Sequence, residues 1–265
     1  MKGRELRLAR IMNQARRRTV IVPMDHGFSL GQVSGLKDMK GAIERVIAGG
    51  ADAIVLHRGM VRHFPDAAAR STGLIVHLSG GTTQSHDPEE KVPVCTVREA
   101  VGLGADAVSI QVNLGSKTES RMIEAAGMVS RECSLYGMPL LIMCYPKGKR
   151  QEGTMEHAIG HCIRVAEELG ADLIKTAYTG SPASFAPLVE ACSVPIVVAG
   201  GERSDEGEIL AMVRGAISAG AAGVCMGRNT FQRNDTAGFI GKIRRIVYET
   251  SEEQTGNSLV PPLPA

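Results

Sequence analysis

The sequence has few aromatic residues and no tryptophan, since aromatics make up 3% of its 265 residues. Few side chains are therefore present that could stack on bases, which weighs against a binder of single-stranded nucleic acid. Charge of one sign is also missing, because 30 basic residues against 28 acidic ones leave a net charge of +2. This balance is too even for attraction of nucleic acid or membranes by a global field, and we expect neither as a partner.

Long hydrophobic runs and paired cysteines are absent too. Every apolar run is interrupted within about eight residues, whereas a membrane span needs roughly 18. The six cysteines stand singly without a Cys-x-x-Cys pair, and no apolar signal segment precedes them. The single cysteines and the lack of a signal segment indicate a reducing compartment, and we expect a cytoplasmic protein.

A short repeat is present in four copies, each with a glycine followed by a small residue and an apolar run: Gly50-Ala51-Asp52-Ala53, Gly104-Ala105-Asp106-Ala107, Gly170-Ala171-Asp172-Leu173 and Gly220-Ala221-Ala222-Gly223. A glycine after a helical pattern is typical of a left-handed helix stop. The apolar run after it is typical of a buried parallel strand. Each copy therefore predicts a junction from a helix to a strand.

Four further apolar runs, beginning at Val20, Leu74, Leu140 and Pro195, bring the predicted strands to eight. Stretches of helical period separate them, near residues 38–49, 60–70, 96–103, 118–136, 154–169, 182–192, 205–219 and 235–249. Eight strands alternating with eight helices predict a single (βα)₈ TIM barrel over residues 19–250.

The two ends lie outside this alternation. Residues 1–18 predict a short helix whose stripe of Leu8, Ile11, Met12 and Ala15 closes the bottom of the barrel. Its arginines invite a nucleic-acid hypothesis, but a solvated face or a subunit contact is the more common use of such a run. Residues 251–265 end in a proline-rich stretch and predict an extended tail.

Polar residues at the carboxyl ends of the strands are the candidates for chemistry, because active groups of such barrels project there. Lys175 stands out, since it lies within the apolar run of the sixth strand. Burial is costly for an ammonium group, but a dry site lowers the amine pKa and so supplies a nucleophile for imine formation with a carbonyl. The alternative is a lysine whose head reaches the barrel mouth and pairs with Asp25.

Asp25 and Tyr145 follow the first and fifth apolar runs. A carboxylate at such a place acts as an acid or base on substrate, or else forms an ion pair or a helix cap. Tyr145 either transfers a proton beside the imine or covers the barrel core with its hydroxyl in water. Both residues remain candidates on the sequence alone.

The last two predicted strands are followed by glycines, at Gly200-Gly201 and Gly227, and the second of them also by the guanidinium of Arg228. Barrels of this type commonly hold a phosphate at these strand ends, where glycine lets the backbone approach and arginine supplies a charged fork. Turn glycines and a surface arginine are the alternative. No metal site is expected, because His157 and His161 lack a glutamate partner and the spacing of His77, His86 and Asp87 is not diagnostic.

These segments resemble the archaeal-type class I aldolase family over residues 19–232. The resemblance rests on the segments Pro23-Met24-Asp25-His26-Gly27, Tyr145-Pro146-Lys147-Gly148, Lys175-Thr176-x-Tyr178-Thr179-Gly180, Val198-Ala199-Gly200-Gly201 and Gly227-Arg228-Asn229. That family contains Schiff-base fructose-bisphosphate aldolases and 2-amino-3,7-dideoxy-D-threo-hept-6-ulosonate synthases. The resemblance implies a (βα)₈ barrel and no cofactor beyond a covalent imine.

By this resemblance, Lys175 forms the imine, Tyr145 donates a proton and Asp25 is the general base. The remaining binding residues that it implies are Gly200, Gly201, Gly227 and Arg228 for phosphate, with His26, Gly27 and Lys147 along the substrate. The implied reaction cleaves a phosphorylated ketose and joins the enamine to a second aldehyde. A homo-oligomer is also expected.

The acceptor aldehyde is the least determined part of the resemblance. His77-Leu78-Ser79, Val112-Asn113 and Met143 are similar to the heptulosonate synthases, which favours aspartate semialdehyde. Gln111 replaces the usual histidine, and Lys147 replaces the usual arginine. Fructose-bisphosphate aldolase and a dihydroxyacetone phosphate/aspartate semialdehyde aldolase therefore stay open, as does a phosphosugar-binding barrel without imine chemistry, which leaves Lys175 unexplained.

Overall fold

The computed structural model describes residues 2–63, 72–148 and 153–255. Eight parallel strands form its centre: β1 Thr19–Pro23, β2 Ala53–His57, β3 Gly73–His77, β4 Ala107–Leu114, β5 Leu140–Pro146, β6 Leu173–Thr176, β7 Ile196–Ala199 and β8 Gly223–Cys225. They close in the order β1-β8-β7-β6-β5-β4-β3-β2. β1 completes the ring by pairing with β2 on one side and β8 on the other. The predicted (βα)₈ barrel is confirmed.

The helices follow the strands in the expected alternation. They are α1 Lys2–Ile11, α2 His26–Leu30, α3 Met39–Ala48, α4 Arg58–His63, α5 Val97–Gly102, α6 Glu119–Tyr136, α7 Met155–Glu168, α8 Pro182–Glu190, α9 Glu206–Ser218, α10 Arg228–Phe231 and α11 Thr236–Thr255. An antiparallel hairpin of Ser79–Gly80 and Val92–Pro93 follows β3. The later part of the helix predicted at 60–70 lies outside the described residues.

The repeated glycines end helices as predicted, since Gly50 and Gly170 have φ angles of +81° and +85°. The aspartates of three repeats make one common contact. Asp52, Asp106 and Asp172 each accept a hydrogen bond from a backbone N–H of the preceding strand, 32 residues earlier. The repeat therefore joins neighbouring strands at the amino-terminal face of the barrel.

Arginines from both ends of the chain complete these contacts. Arg4 donates to Asp172 at 3.2 Å, Arg10 donates to Asp106, and Arg244 of α11 donates to Asp52 at 2.9 Å. In the fourth repeat, which has no aspartate, Arg18 donates to the carbonyl of Ala221. Much of the basic charge near the amino terminus is thus used to hold α1 and its following turn against the barrel.

Apolar side chains form two layers of core. One layer lies between the strands and the helices, and the other fills the barrel interior with inward side chains such as Ile21, Val55, Leu141 and Val197. Ile11 and Met12 belong to the interior layer. The expected helical stripe does not extend to Ala15, which is exposed, because the chain turns back at Asn13 and bridges to Arg18 before β1 begins.

The expected extended tail is wrong at its start. Helix α11 continues to Thr255, five residues into the segment predicted to be extended, because Thr250 to Thr255 contain no glycine or proline to stop it. Residues 256–265, with the prolines on which the prediction depended, lie outside the described residues. No helix of the described chain is both long and apolar enough to cross a membrane.

Candidate active site

Side chains of the barrel strands alternate between the interior and the helices, so every second residue points inward. In the lower part of the barrel these positions are apolar. Toward the carboxyl ends the same alternation reaches polar or reactive side chains, namely Asp25, His57, His77, Ser109, Gln111, Asn113, Tyr145, Lys175 and Cys225. Seven of the eight strands or their following residues thus supply groups to one region.

Lys175 lies within β6 and is 8% exposed. The strand register places it beside Met143 of β5 and Val197 of β7, and its Nζ is 4.0 Å from the Met143 sulfur. Tyr145 and Cys225 interact with the amino group from the two sides of the barrel interior. The lysine head is therefore held inside the barrel rather than at its rim.

The electrostatics of this lysine differ from the expectation. Burial lowers the pKa of Lys175, but its interactions with Cys225, Tyr145 and Asp25 raise it more, and the net pKa lies above its usual value. The expected lowering of the amine pKa is therefore wrong. Burial also raises the pKa of Tyr145, and that of Cys225 to about 11, so both are neutral near pH 7. Near neutral pH, Asp25 is the partner that carries the negative charge.

Three histidines surround Asp25. His26 Nδ1 lies 3.4 Å from one carboxylate oxygen, without the alignment of a hydrogen bond, and His77 Nε2 lies 3.9 Å from the other. Burial raises the pKa of Asp25, but the fields of His77, His26, Lys175 and His57 lower it further than burial raises it. The carboxylate therefore stays ionised despite its burial.

The histidines themselves are neutral at physiological pH. Burial lowers the pKa of all three, and that of His77 to about 4. His77 Nδ1 and the Ser109 hydroxyl are 2.8 Å apart, which orients the imidazole beside Asp25. The site thus contains one buried carboxylate opposite one buried ammonium, with polar but uncharged imidazoles around them.

The expected phosphate residues meet at the ends of β7 and β8. Gly201 has a φ angle of +66°, and a Cβ on Gly227 would lie 2.5 Å from the Pro23 carbonyl oxygen, so both positions require glycine. Asn229 joins the two loops, since its side-chain amide donates to the carbonyls of Gly200 and Glu202 at 2.9 and 2.8 Å. The contacts of Asn229 therefore fix the backbone of both loops beside the cavity.

Arg228 borders this backbone but has a partner. Its guanidinium donates to both carboxylate oxygens of Glu202, at 3.0 and 3.1 Å, and to the Gly201 carbonyl at 3.3 Å. The Glu202 side chain is 89% exposed. The Arg228 guanidinium, which was expected to bind phosphate, thus already binds the carboxylate of Glu202.

One cavity of about 650 Å³ brings most of the predicted residues together. Its lining includes Lys175, Tyr145, His26, Lys147, Gly200, Gly201, Gly227 and Arg228. Gly27 does not line it, because α2 begins at His26 and turns Gly27 toward a neighbouring cavity of about 720 Å³. Asp25 lies beneath the lining, in electrostatic contact with Lys175.

The two groups of histidines that were considered as metal ligands lie apart from one another. His157 and His161 are exposed on α7, outside the barrel, and His86 is exposed while His77 is buried. Among residues 2–63, 72–148 and 153–255, no group of three or more His, Cys, Asp and Glu side chains is arranged to hold a metal ion.

Three residues of the site were missed by the sequence reasoning: His57, Cys225 and Asn229. His57 and Cys225 could have been found, because each ends the inward alternation of its strand. Asn229 stands in the segment that carries the resemblance, but the sequence does not show its contacts with the Gly200 loop.

A barrel with a buried lysine, a tyrosine and a carboxylate at its carboxyl-terminal face has the arrangement of an imine-forming enzyme. The model of the DeoC/LacD family aldolases matches residues 19–233. The chain therefore belongs to this aldolase family, as its resemblance indicated.

Individual relatives are similar over nearly the whole chain. The 2-amino-4,5-dihydroxy-6-oxo-7-(phosphonooxy)heptanoate synthase of Streptomyces griseus is 41% identical over 94% of this chain and 91% of its own. The 2-amino-3,7-dideoxy-D-threo-hept-6-ulosonate synthase 1 of Archaeoglobus fulgidus is 40% identical over 98% of both. An archaeal fructose-1,6-bisphosphate aldolase, solved with its catalytic lysine bound covalently to a carbinolamine intermediate, is 30% identical. It has a TM-score of 0.83 and covers 93% of this chain and 99% of its own.

Proposed function

We propose that Lys175 forms an imine with the keto carbon of a phosphorylated ketose and that the resulting enamine attacks aspartate semialdehyde. The observation that carries this proposal is the buried Lys175 amine beside Asp25 and Tyr145, in one cavity with the Arg228 loop. Both relatives at about 40% identity are named as synthases of seven-carbon 2-amino acids. An acceptor with an amino-acid end accounts for such products.

The raised pKa of Lys175 requires a proton acceptor before the amine can attack. Asp25 is the acceptor of choice, since its carboxylate is the negative charge beside the ammonium. Transfer of one proton gives a neutral amine and a carboxylic acid, and the amine then adds to the keto carbon to give a carbinolamine. Tyr145, held neutral by its raised pKa, donates its proton to the hydroxyl that leaves as water and recovers a proton from Asp25, so the imine is formed in its protonated state and the Asp25 carboxylate is restored.

Cleavage then uses Asp25 again. Its carboxylate accepts the proton of the hydroxyl next to the breaking carbon–carbon bond, and the electron pair of that bond moves into the imine to give an enamine. Attack of the enamine on the second aldehyde reverses the same steps. The phosphate of the donor binds the backbone of Gly200, Gly201 and Gly227, with Arg228 as the charged partner.

Trapping of the imine tests this function. Borohydride with a phosphorylated ketose should add the mass of the substrate to the peptide that carries Lys175, and the Lys175→Ala protein should gain none. Activity should also survive removal of metal ions by a chelator, because the imine replaces a Lewis acid. Label on another lysine contradicts the proposal. No label at all supports a phosphosugar-binding barrel without imine chemistry instead.

We also propose that the protein works in the cytoplasm as a homo-oligomer. All six cysteines are free, which fits a reducing compartment. Leu6 and Leu135 are 69% and 83% exposed, and Arg7 brings their helices together by donating to the Tyr136 and Gly137 carbonyls. Such an apolar surface supports contact between copies, and light scattering measures the number of chains.

A further inference from the structure

A pair of opposite charges lies beside the cavity, away from the phosphate loops. Lys147 Nζ is 3.3 Å from a carboxylate oxygen of Glu89, and both side chains are 39% exposed. Lys147 follows Tyr145 by two residues and lines the cavity that contains Lys175. Glu89 belongs to the hairpin loop after β3, which therefore brings a carboxylate to the mouth of the barrel.

The position of Glu89 is determined by side-chain amides of β4. Asn113 is fully buried, and its Nδ2 donates to the Glu89 carbonyl at 2.6 Å and also contacts the Glu89 carboxylate at 3.4 Å. Gln111 Nε2 donates to Asn113 Oδ1 at 2.9 Å. Asn113 is paired in register with Tyr145. The Glu89 carboxylate is thus held relative to the strand that carries the proton donor.

The charge pair and the phosphate loops lie on different sides of the reacting lysine. Asn113 is on β4, Lys147 follows β5, and Arg228 follows β8. In the closed order of eight strands β4 and β8 are opposite one another, and β6 with Lys175 is midway between them. A donor phosphate on Arg228 therefore leaves the β4–β5 side of the cavity to the acceptor.

The pair has the properties of a recognition site rather than of a structural bridge. Half-exposed ion pairs contribute little to stability, so Glu89 and Lys147 separate at little cost. A ligand with an ammonium and a carboxylate on one carbon can replace the Glu89–Lys147 ion pair by two ion pairs. Its ammonium would bind Glu89 and its carboxylate would bind Lys147. Lys91 in the same loop is the less available cation, because its Nζ donates to the Pro88 carbonyl at 2.8 Å.

Most polar residues whose similarity to the heptulosonate synthases favoured aspartate semialdehyde already have partners within the protein. His77, Ser79 and Asn113 are 0–3% exposed. Asn113 uses its amide on Glu89 and Gln111, and His77 contacts Ser109 and Ser79. Their polar groups contact other side chains of the cavity wall and are not available to bind an acceptor.

We propose that Glu89 binds the α-amino group and Lys147 the α-carboxylate of the acceptor aldehyde, so that this pair determines acceptor specificity. The assignment rests on the proposed function, in which the acceptor has an amino-acid end. It adds a residue, Glu89, that comes from the hairpin loop and not from the barrel strands.

Three acceptors that share the aldehyde and the next two carbons separate the two contacts. Aspartate semialdehyde has both charged groups, succinic semialdehyde lacks the amino group, and 3-aminopropanal lacks the carboxylate. Glu89→Gln keeps the contact with Asn113 and should lower kcat/KM roughly tenfold or more for aspartate semialdehyde and 3-aminopropanal, but not for succinic semialdehyde. Lys147→Met should lower it for aspartate semialdehyde and succinic semialdehyde, but not for 3-aminopropanal.

Glu90→Gln is the matched control, since Glu90 is the next residue and pairs with Arg121 at 3.6 Å instead of Lys147. It should leave all three acceptors unchanged. Borohydride labelling by the donor should be normal in every variant, because the donor half of the reaction does not use the pair. Normal labelling with equal losses on all acceptors, or with no loss, overturns the assignment of Glu89 and Lys147. Absence of label in the unmodified protein overturns the proposed function, and this assignment with it.

Discussion

Lys175 and Asp25 are the residues whose chemistry depends most on each other. Each is buried, and burial alone would neutralise both. Together they keep their charges, because the carboxylate raises the pKa of the lysine and the lysine, with the histidines, lowers the pKa of the carboxylate. The amine that we propose as the nucleophile is therefore held as an ammonium opposite a carboxylate, and transfer of its proton to Asp25 makes it reactive.

This arrangement predicts an unusual pH dependence. The reactive form, a neutral lysine and a protonated Asp25, contains as many protons as the resting ammonium and carboxylate. We therefore expect the rate of imine formation to be nearly constant between about pH 7 and pH 9, and to fall below the lowered pKa of Asp25. The pKa values of His26, His57 and His77 are lowered and those of Tyr145 and Cys225 are raised, so the groups that face Lys175 and Asp25 are neutral between about pH 7 and pH 9. Rapid-quench trapping with borohydride measures the rate.

Asp25→Asn provides the contrast. Without the internal acceptor, Lys175 must lose its proton to solvent, so trapping should be slower and should accelerate roughly tenfold per pH unit below the lysine pKa. A tenfold rise per pH unit in the unmodified protein would show that Asp25 does not accept the proton.

At the scale of elements, the loops after β7 and β8 form one unit, to which we assign the donor phosphate. Asn229 joins them by accepting from the Ser204 N–H and donating to Gly200 and Glu202. Within this unit the Glu202 carboxylate is paired with the Arg228 guanidinium, the group that we assign to phosphate. A donor phosphate must therefore compete with an exposed carboxylate that is free to rotate away.

This competition has two opposite consequences. Arg228→Ala should raise KM for a phosphorylated donor by roughly ten- to a hundredfold, because a charged hydrogen-bond partner is lost. Glu202→Gln should lower the same KM by up to about fivefold, because an exposed ion pair contributes at most about 1 kcal/mol. Steady-state kinetics with the donor and its unphosphorylated analogue check both, and equal effects on the analogue would contradict the assignment. Glu206→Gln, which removes a contact with Lys242, is the control.

The alternation of inward residues explains which parts of the site could be predicted from the sequence. Lys175 lies within one recognisable apolar run and Tyr145 follows another, and period two places both inside the barrel. Glu89 and the Glu202 contact with Arg228 depend on the paths of loops, which no periodicity describes. The raised pKa of Lys175 could not be predicted either, because it depends on three neighbours from three other strands.

At the scale of the whole molecule, the amino-terminal face of the barrel is held by carboxylates that each bind a backbone N–H and an arginine. Asp106 is 8% exposed and accepts from Leu74 N at 2.9 Å and from Arg10. The repeat was visible in the sequence as a helix-to-strand junction. Its second use, as an anchor for α1, was not, since the partners Arg4 and Asp172 are 168 residues apart.

Asp106→Ala should therefore lower the free energy of unfolding by about 2–3 kcal/mol, because the Leu74 N–H loses its partner in a buried position. Asp106→Asn, which keeps an acceptor oxygen, should cost less. Urea denaturation followed by circular dichroism measures both, with Glu44→Ala on the exposed face of α3 as a control that stays within about 0.5 kcal/mol. Equal losses for Asp106→Ala and Glu44→Ala would show that the contact contributes nothing.

These anchors also impose an order on biosynthesis. Chains fold from the amino terminus as they leave the ribosome, but the partners of α1 are made late, at Asp106 and Asp172, and that of Arg18 later still, at Ala221. Arg10 cannot form its contact until Asp106 is translated, and Arg4 cannot form its own until about two thirds of the barrel has been made. The first segment to be synthesised thus completes its contacts late.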